Sequence, residues 1–455
     1  MRRAAELGIE FVNRLPDRHV GAQTDAASLA AQLGGPLPDD GEDPEAVVEE
    51  MARVLDPGLV ASAGPRYFGF VVGGSVPAAA AADWLTGAWT QNAVLHALSP
   101  AAAAAELVAG SWMLDLLGLP ASAGVGFPTG AGLGNAVGLA AARHAVLARE
   151  GWDVEARGLY GAPEIQVVIG DDAHSTVLTA LQYLGFGRER VVRVPADDQG
   201  RMRPGELARA LRSVAGPLLV CAQAGEVNTG AFDPMGAIVD LARERGGWVH
   251  VDGAFGLWAR ACGETRWLTD GVAGADSWTI DGHKWLNMPY DTGFAITAHP
   301  DAHVAAMMEL APYLVAQDDV RRDPWNWGPD ASRRARGFAA YAAMRSLGRA
   351  GIDNMIAGSC RLARRFAERL GGLAGVEILN EVVLNQVLVR FVGNGDPDSH
   401  TRAVIERVQA NGTCWVGGTT FRGKAAMRIS VSGWSTTEAD VDRSVDAIAH
   451  CAGLG

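Results

Sequence analysis

The feature that most constrains the fold is an alternation of short apolar segments with longer amphipathic segments between about residues 61 and 330. The short segments have the length and composition of buried strands, whereas intervening segments such as 205–214 and 238–245 repeat apolar residues at helical spacing. This alternation is typical of a mostly parallel sheet covered by helices, and it predicts an α/β fold. The predicted strands are 165–169, 191–194, 218–221, 248–251, 277–280 and 294–296.

The chain is predicted to divide into three regions. Residues 1–60 form an N-terminal helical arm, which contains a loop rich in Gly, Pro and Asp and is too small to fold alone. Residues 61–335 form a large domain. Residues 336–455 form a smaller C-terminal α+β domain, in which a long helix is followed by strands at 386–391 and 427–431 and by a helical tail.

Composition and charge argue against several classes of function. A chain of 455 residues with 48% hydrophobic residues can bury a large core. Its net charge of -13 argues against general binding to nucleic acid or to anionic membranes. The five cysteines are far apart and form no CxxC pair, so neither a disulfide framework nor a metal site is predicted. We find no segment typical of a signal peptide or a membrane-spanning helix, and we expect the protein to be cytoplasmic.

Two predicted strand ends carry an acidic and a basic residue. Asp252 follows the strand 248–251, and Lys284 lies in a turn that follows the strand 277–280. Open α/β sheets bind ligands at such strand ends. A pyridoxal phosphate (PLP) enzyme needs this pair, because the lysine amine forms a Schiff base with the cofactor aldehyde and the carboxylate keeps the pyridine nitrogen protonated. Taken singly, a lysine after a strand is most often a solvated surface residue, and an aspartate at a strand end is more often a turn or helix cap. The prediction of a PLP site therefore depends on further segments.

Two of these segments lie beside the start of a predicted helix. Residues 127–135 are rich in glycine and lead into a segment of high helix propensity. They either bind a phosphate through backbone N–H groups or form a tight loop. His174 follows the predicted strand 165–169. It stacks on an aromatic cofactor ring, or it is a bystander to a helix cap built from Asp172 or Ser175, and both interpretations can hold at once.

Two other features have open interpretations. Residues 225–234 follow a strand and are turn-forming by composition, and this turn needs no further role. Arg428 lies in a predicted C-terminal strand. It either binds a substrate carboxylate or forms a surface or interdomain salt bridge.

Together these segments resemble the group II PLP-dependent amino-acid decarboxylases, which include aromatic-L-amino-acid and glutamate decarboxylases. The resemblance covers roughly residues 60–300 well and the C-terminal part loosely. It implies fold type I, the aspartate aminotransferase fold, and a homodimer with sites near the subunit interface. The segments that carry the resemblance are Tyr67-Phe68, 82–86, 98–100, 127–135, 172–175, 225–234, 252–256 and 282–285.

The resemblance also implies roles for individual residues. Lys284 is the Schiff-base lysine, Asp252 is the partner of the pyridine nitrogen, and His174 stacks on one face of the cofactor ring. The other implied cofactor contacts are Ala254 on the second ring face, His283 beside the phosphate, the backbone N–H groups of Ala131 and Gly132, and the side chains of Asp281 and Glu226. The implied substrate contacts are Tyr67, Phe68, Asn92, Val94 and Arg428, with Asn92 and Val94 lining the pocket of the neighbouring subunit.

The chain departs from the family pattern at several positions. Relatives usually have a hydroxyl residue where this chain has Gly132, Thr where it has Glu226, and often Asn where it has Asp281. Relatives also have a mobile loop whose tyrosine protonates the substrate carbanion. Residues 314–340 of this chain contain no tyrosine.

The leading hypothesis is therefore PLP-dependent decarboxylation of an L-amino acid. A second hypothesis is another PLP reaction on the same scaffold, namely oxidative deamination to an aldehyde, carbon–carbon lyase chemistry or transamination. A third is a noncatalytic protein that binds PLP or a partner. Fold analogy does not choose among them. Release of CO2 with an amine favours the first, and an aldehyde with ammonia or an altered carbon skeleton favours the second.

Overall fold

The computed structural model describes residues 1–308, 323–393 and 395–454. The strands are β1 (Tyr67–Phe68), β2 (Gly124–Gly126), β3 (Gln166–Gly170), β4 (Val192–Val194), β5 (Leu218–Gln223), β6 (Trp248–Asp252), β7 (Ser277–Asp281), β8 (Gly293–Thr297), β9 (Val376–Ile378), β10 (Gln386–Phe391), β11 (Trp415–Phe421) and β12 (Lys424–Ser430). The helices are α1 (Arg2–Arg14), α2 (Ala26–Leu33), α3 (Pro44–Leu55), α4 (Pro77–Trp89), α5 (Pro100–Leu117), α6 (Ala131–Arg149), α7 (Val154–Arg157), α8 (Ser175–Tyr183), α9 (Pro204–Ser213), α10 (Met235–Arg243), α11 (Pro300–Met307), α12 (Arg336–Gly371), α13 (Pro397–Asn411) and α14 (Glu438–Ala452).

The large sheet has the strand order β2-β8-β7-β6-β5-β3-β4. Strands β4, β3, β5, β6 and β7 pair in parallel, whereas β8 is antiparallel to both β7 and β2. Every residue of β5, β6 and β7 is buried, as expected for central strands of a parallel sheet. The carboxyl ends of these strands consequently meet at one edge of the sheet.

The described chain forms two compact units. One unit contains residues 1–74, 362–379 and 387–455 and a sheet in the order β1-β11-β12-β10-β9, and the other contains residues 75–361 and 380–386 and the large sheet. The N-terminal segment belongs to the first unit because β1 pairs in parallel with β11 and the Arg66 guanidinium donates to the carbonyl of Thr413. These bounds differ from the predicted domain bounds at 60 and 335.

The predicted alternation is confirmed. The six strands expected in the large domain correspond to β3 through β8, and the two expected later correspond to β10 and β12. The segments with helical periodicity correspond to α9, α10, α12 and α14. Strands β1, β2, β9 and β11 were not predicted from the sequence. Helix α12 has a kink at Gly348, where φ is 62° and the backbone is not helical.

No helix among the described residues is both long and apolar enough to span a membrane. The same residues contain no group of three or more His, Cys, Asp or Glu side chains that could hold a metal ion. All five cysteines are free thiols.

Candidate active site

The two predicted catalytic strand ends lie side by side in the large sheet. Strand β6 ends at Asp252, and its parallel neighbour β7 ends at Asp281, three residues before Lys284. The register pairs Asp252 with Thr279. Both carboxylates are buried, with 5% of Asp252 and 2% of Asp281 exposed. The fold therefore brings the lysine turn and both acidic residues to the same edge of the sheet.

Lys284 is one of only two lysines in the chain. Its Nζ lies 2.9 Å from Oδ2 of Asp281, and 24% of its side chain is exposed. The amine thus contacts a buried carboxylate while remaining reachable from the solvent side of the crevice. Its covalent attachment to the cofactor stays a prediction.

The glycine-rich turn ends at Gly130, and α6 begins at Ala131. The backbone N–H of Ala131 donates to Oδ1 of Asp281 at 2.5 Å. A Cβ added at Gly132 would meet only the methyl group of Thr176, at 3.7 Å, so the backbone there is open to a close approach. The N-terminus of a helix favours an anion. The N–H predicted to bind the phosphate already binds a carboxylate oxygen.

The carboxylate of Asp252 is fixed by two donors. Nδ2 of Asn135 donates to Oδ2 at 3.2 Å, and the backbone N–H of Ala254 donates to Oδ1 at 3.1 Å. The carbonyl of Ala254 in turn accepts from the N–H of Asp281 at 2.8 Å. Ala254 therefore links the two strand ends, and its contact with the cofactor ring stays a prediction.

His174 is itself the N-cap of α8. Its Nδ1 accepts from the N–H of Thr176 at 3.3 Å and lies 2.8 Å from Oγ1 of Thr176. The alternative of a cap built from Asp172 or Ser175 with a bystander histidine is wrong, because the His174 side chain is itself the cap. Because Nδ1 accepts, the ring proton of the neutral imidazole lies on Nε2. The stacking role of His174 stays a prediction.

His283 is held beside the lysine turn. Its Nδ1 accepts from the N–H of Thr292 at 3.1 Å, and its ring stacks on Tyr290 with centroids 4.5 Å apart. Burial lowers the pKa of His283, and the carboxylate of Asp281 opposes this shift. The predicted contact of His283 with the phosphate is not tested by these interactions.

The side chain of Glu226 turns back onto its own loop. Its Oε2 accepts from the N–H groups of Asn228 at 2.8 Å and Thr229 at 2.7 Å. Burial raises the pKa of Glu226, and the hydrogen bonds from Thr229 and Asn228 oppose this shift. These contacts account for the turn at 225–234, and the cofactor contact of Glu226 stays a prediction.

The predicted substrate residues are distributed over both units. Tyr67 and Phe68 form β1 and Arg428 lies in β12, all within the first unit. In the second unit, Oδ1 of Asn92 accepts from the N–H of Arg333 at 3.1 Å, and the carbonyl of Val94 accepts from the N–H of Trp325 at 2.9 Å. The substrate roles of all five stay predictions. Part of the tyrosine-free segment 314–340 lies outside the described residues.

Sequence reasoning missed two polar residues beside Asp252, namely Asn135 and His250. Both are fully buried. His250 precedes Asp252 by two residues, so the period of a strand places the two side chains on the same face. A histidine inside an otherwise apolar, buried strand requires hydrogen-bond partners, and this requirement is the signal that the sequence offered.

Burial of His250 predicts a loss of stability in acid. Burial lowers its pKa from 6.5 to about 4, and the Asp252 carboxylate opposes the shift. The unfolded chain therefore binds a proton that the folded chain excludes, so stability is complete above pH 6.5 and declines toward pH 4. Relative to His250→Gln, the wild-type chain should lose up to about 3 kcal/mol of unfolding free energy across this window. Urea denaturation at both ends of the window measures it. An equal difference between the two proteins at both ends would contradict the assignment.

The residues fit PLP on three observations. An amine lies at the strand edge, a buried carboxylate stands at the end of the adjacent strand, and a helix N-terminus nearby already binds an anionic oxygen. Lys284 would hold the aldehyde, Asp252 the pyridine nitrogen, and Ala131 with Gly132 the phosphate. These groups and this sheet define a PLP-dependent enzyme of fold type I.

The chain belongs to the pyridoxal-dependent decarboxylase family. The family model described as "Pyridoxal-dependent decarboxylase conserved domain" matches residues 28–392. The protein is therefore an enzyme that uses PLP to decarboxylate an amino acid, and the predicted family, fold class and cofactor are confirmed.

Individual relatives agree with this membership. The chain is 25% identical over 448 residues to an aromatic-L-amino-acid decarboxylase of Bacillus atrophaeus, covering 96% of this chain and 91% of the relative. It is 30% identical over 419 residues to tryptophan decarboxylase 1 of Oryza sativa subsp. japonica, covering 85% of this chain and 80% of the relative.

Solved structures share the fold. The crystal structure of Oryza sativa TDC with PLP and tryptamine superposes with a TM-score of 0.92 at 24% identity, covering 100% of this chain and 98% of that one. The structure of Rhodiola rosea 4-hydroxyphenylacetaldehyde synthase has a TM-score of 0.86 at 24% identity, with coverage of 98% and 97%. Proteins named for different products thus have this fold.

Proposed function

We propose that this decarboxylase acts on an L-amino acid at a site built from Lys284, Asp252 and His174, and that aromatic amino acids are the substrates to test first. The observation that supports the site most directly is the adjacent placement of Asp252 and the Lys284 turn at the ends of β6 and β7. The names of two relatives, an aromatic-L-amino-acid decarboxylase and a tryptophan decarboxylase, support the choice of substrate class.

Each of the three residues has a distinct task in this proposal. When bound, PLP supplies a ring that accepts the electron pair left by the departing carboxylate. Asp252 keeps a negative charge at the pyridine nitrogen, in an orientation fixed by Asn135 and Ala254. Lys284 holds the aldehyde end of the cofactor, and His174 covers one face of its ring.

The proton that replaces CO2 needs a donor other than a loop tyrosine, because residues 314–340 contain none. His174 is a candidate donor when its ring is the imidazolium, because giving up one proton then leaves a neutral imidazole. His283 and a residue of a partner subunit are the other candidates. A histidine is also the side chain that most often transfers protons near neutral pH.

The tyrosine-free segment favours one second candidate function, oxidative deamination. In this reaction the amino acid, O2 and water give an aldehyde, CO2, ammonia and hydrogen peroxide. Oxygen captures the electron pair that a proton would otherwise take.

Product analysis in air and under strict anaerobiosis distinguishes the two functions. Each amino acid is incubated with the PLP-loaded chain, and CO2, amine, aldehyde, ammonia and peroxide are quantified. If decarboxylation leaves the carbanion open to oxygen, the share of aldehyde and peroxide should rise in air. One amine per CO2 under both conditions would exclude the oxidative function, and no CO2 from any amino acid would contradict the proposed site.

The proposal also includes a homodimer in the cytoplasm. Large apolar side chains on and between α4 and α5 are about half exposed, and a second copy of the chain is a natural partner for them. Sedimentation velocity of the PLP-loaded chain tests the homodimer, and a monomer at all concentrations would contradict it. The exposed side chains are Trp84, Leu85, Trp89, Leu98 and Leu107.

A further inference from the structure

A continuous series of hydrogen bonds runs behind Asp252. Nε1 of Trp248 lies 2.9 Å from Oγ of Ser277, and this oxygen lies 2.8 Å from Nδ1 of His250. Nε2 of His250 lies 2.9 Å from Oδ1 of Asn135, whose Nδ2 lies 3.2 Å from Oδ2 of Asp252. Trp248, Ser277, His250 and Asn135 have no exposed surface.

The carboxylate of Asp252 sets the direction of every bond in this series. A carboxylate only accepts, so the NH2 of Asn135 must face Asp252 and its carbonyl must face His250. Nε2 of His250 must then carry the ring proton. Nδ1 of His250 consequently accepts from the hydroxyl of Ser277, and the hydroxyl oxygen accepts from the indole N–H of Trp248.

The amide of Asn135 is also a branch point. Its Nδ2 has a second hydrogen, and Oγ1 of Thr176 lies 3.3 Å away. Oγ1 of Thr176 lies 2.8 Å from Nδ1 of His174, and because Nδ1 accepts from the Thr176 N–H, the hydroxyl is the donor in this contact. One buried amide therefore contacts Asp252 directly and His174 through a single hydroxyl.

We infer that Asn135 and His250 are positioning residues whose joint task is to orient Asp252 and to fix the ring proton of His174 on Nε2. The inference rests on the proposed roles of Asp252 and His174. The Asn135 amide cannot rotate, because rotation would place its NH2 against Nε2–H of His250 and its carbonyl against the Asp252 carboxylate. His250 cannot exchange tautomers without losing its bond to Asn135, because the bare Nε2 would then face the amide oxygen.

The packing around His250 supports this assignment. Helix α6 has Gly138 opposite the imidazole, where an added Cβ would lie 2.7 Å from Cε1. No larger residue fits at this position without moving the ring. Burial on all sides also lowers the pKa of His250, so the imidazole stays neutral and retains a single tautomer.

The tautomer is measured by 15N NMR of the imidazole nitrogens in the full-length chain, with and without PLP, and His250→Gln assigns the signal. We expect a neutral His250 protonated on Nε2 in both forms. A neutral Nδ1–H ring, a mixture of tautomers or a charged ring at neutral pH would overturn the inference. This measurement requires no turnover, so it is independent of whether the proposed reaction occurs.

Two variants test the consequences for the site. Asn135→Ala should convert the single His250 tautomer into a mixture, because Nε2 loses its acceptor, and should weaken PLP binding about tenfold by removing a hydrogen bond to a charged group. Ser277→Ala should keep the Nε2–H tautomer, because the Asn135 carbonyl still faces Nε2. Ser359→Ala is the matched control, because Ser359 is also buried but donates to the carbonyl of Met355 in α12. A His250 tautomer unchanged in Asn135→Ala would contradict the inference, as would a PLP affinity unchanged in that variant. If Asn135→Ala does not fold, Ser277→Ala decides, because loss of the Nε2–H tautomer there would show that Ser277 rather than Asn135 sets it.

Discussion

Replacing Lys284 with alanine is expected to lower decarboxylation roughly ten-thousand-fold, the scale at which loss of a principal catalytic group acts. The variant is expected to retain the fold, because 24% of the Lys284 side chain is exposed and Asp281 keeps its bond from the Ala131 N–H. Steady-state CO2 release measures the effect. Borohydride reduction of the PLP-loaded wild-type chain followed by peptide mapping should place the cofactor on Lys284.

The chain provides its own control for this experiment. Its other lysine, Lys424, is exposed at the start of β12. Lys424→Ala should leave both turnover and labelling unchanged. Label on Lys424, or substantial activity in Lys284→Ala, would refute the assignment of Lys284.

Replacing Asp252 with asparagine should slow turnover by roughly 10²- to 10³-fold while changing KM little, because a preorganised charge at the cofactor ring is lost. The fold should survive, since the side-chain carbonyl that the substitution leaves in place can still accept from Nδ2 of Asn135. Steady-state kinetics, together with the absorption spectrum of the bound cofactor, measures the effect.

A suitable control carboxylate is Asp353 of α12, which accepts from the N–H of Gly263 at 2.9 Å. Asp353→Asn keeps a carbonyl oxygen for this bond and should retain full turnover. Equal turnover in Asp252→Asn and the wild-type chain would remove Asp252 from its proposed role.

The strands that sequence analysis found and missed differ in composition. β5, β6 and β7 are continuous apolar segments, which a parallel sheet requires, and they were predicted within two residues. β2 contains only Gly124, Val125 and Gly126, a composition that strands rarely have. Its glycines are explained by Trp327, because a Cβ on either residue would collide with it. That contact depends on residues some two hundred positions away, and no local pattern reports it.

The same distinction holds for the site. Lys284 and Asp252 follow recognisable strands, so their convergence could be predicted from the chain order of the sheet. Asn135 lies in a helix more than a hundred residues before Asp252, and only the packing of α6 brings them together. The orientation of Glu226 was unpredictable for a different reason, because its partners Asn228 and Thr229 compete with any ligand for the carboxylate.

The carboxylate of Asp281 contacts two of the groups that are proposed to hold the cofactor. Its two oxygens contact the Ala131 N–H and the Lys284 amine, so the lysine and the helix N-terminus share one buried anionic partner. The Ala131 N–H has a single hydrogen, and a phosphate that binds there must exchange with the carboxylate. The apparent affinity for the cofactor therefore reflects the contacts that the cofactor makes with Ala131 and Lys284 minus the contacts that Asp281 loses. Replacement of both contacts leaves the buried Asp281 carboxylate without these two partners, and that cost lowers the affinity for the cofactor.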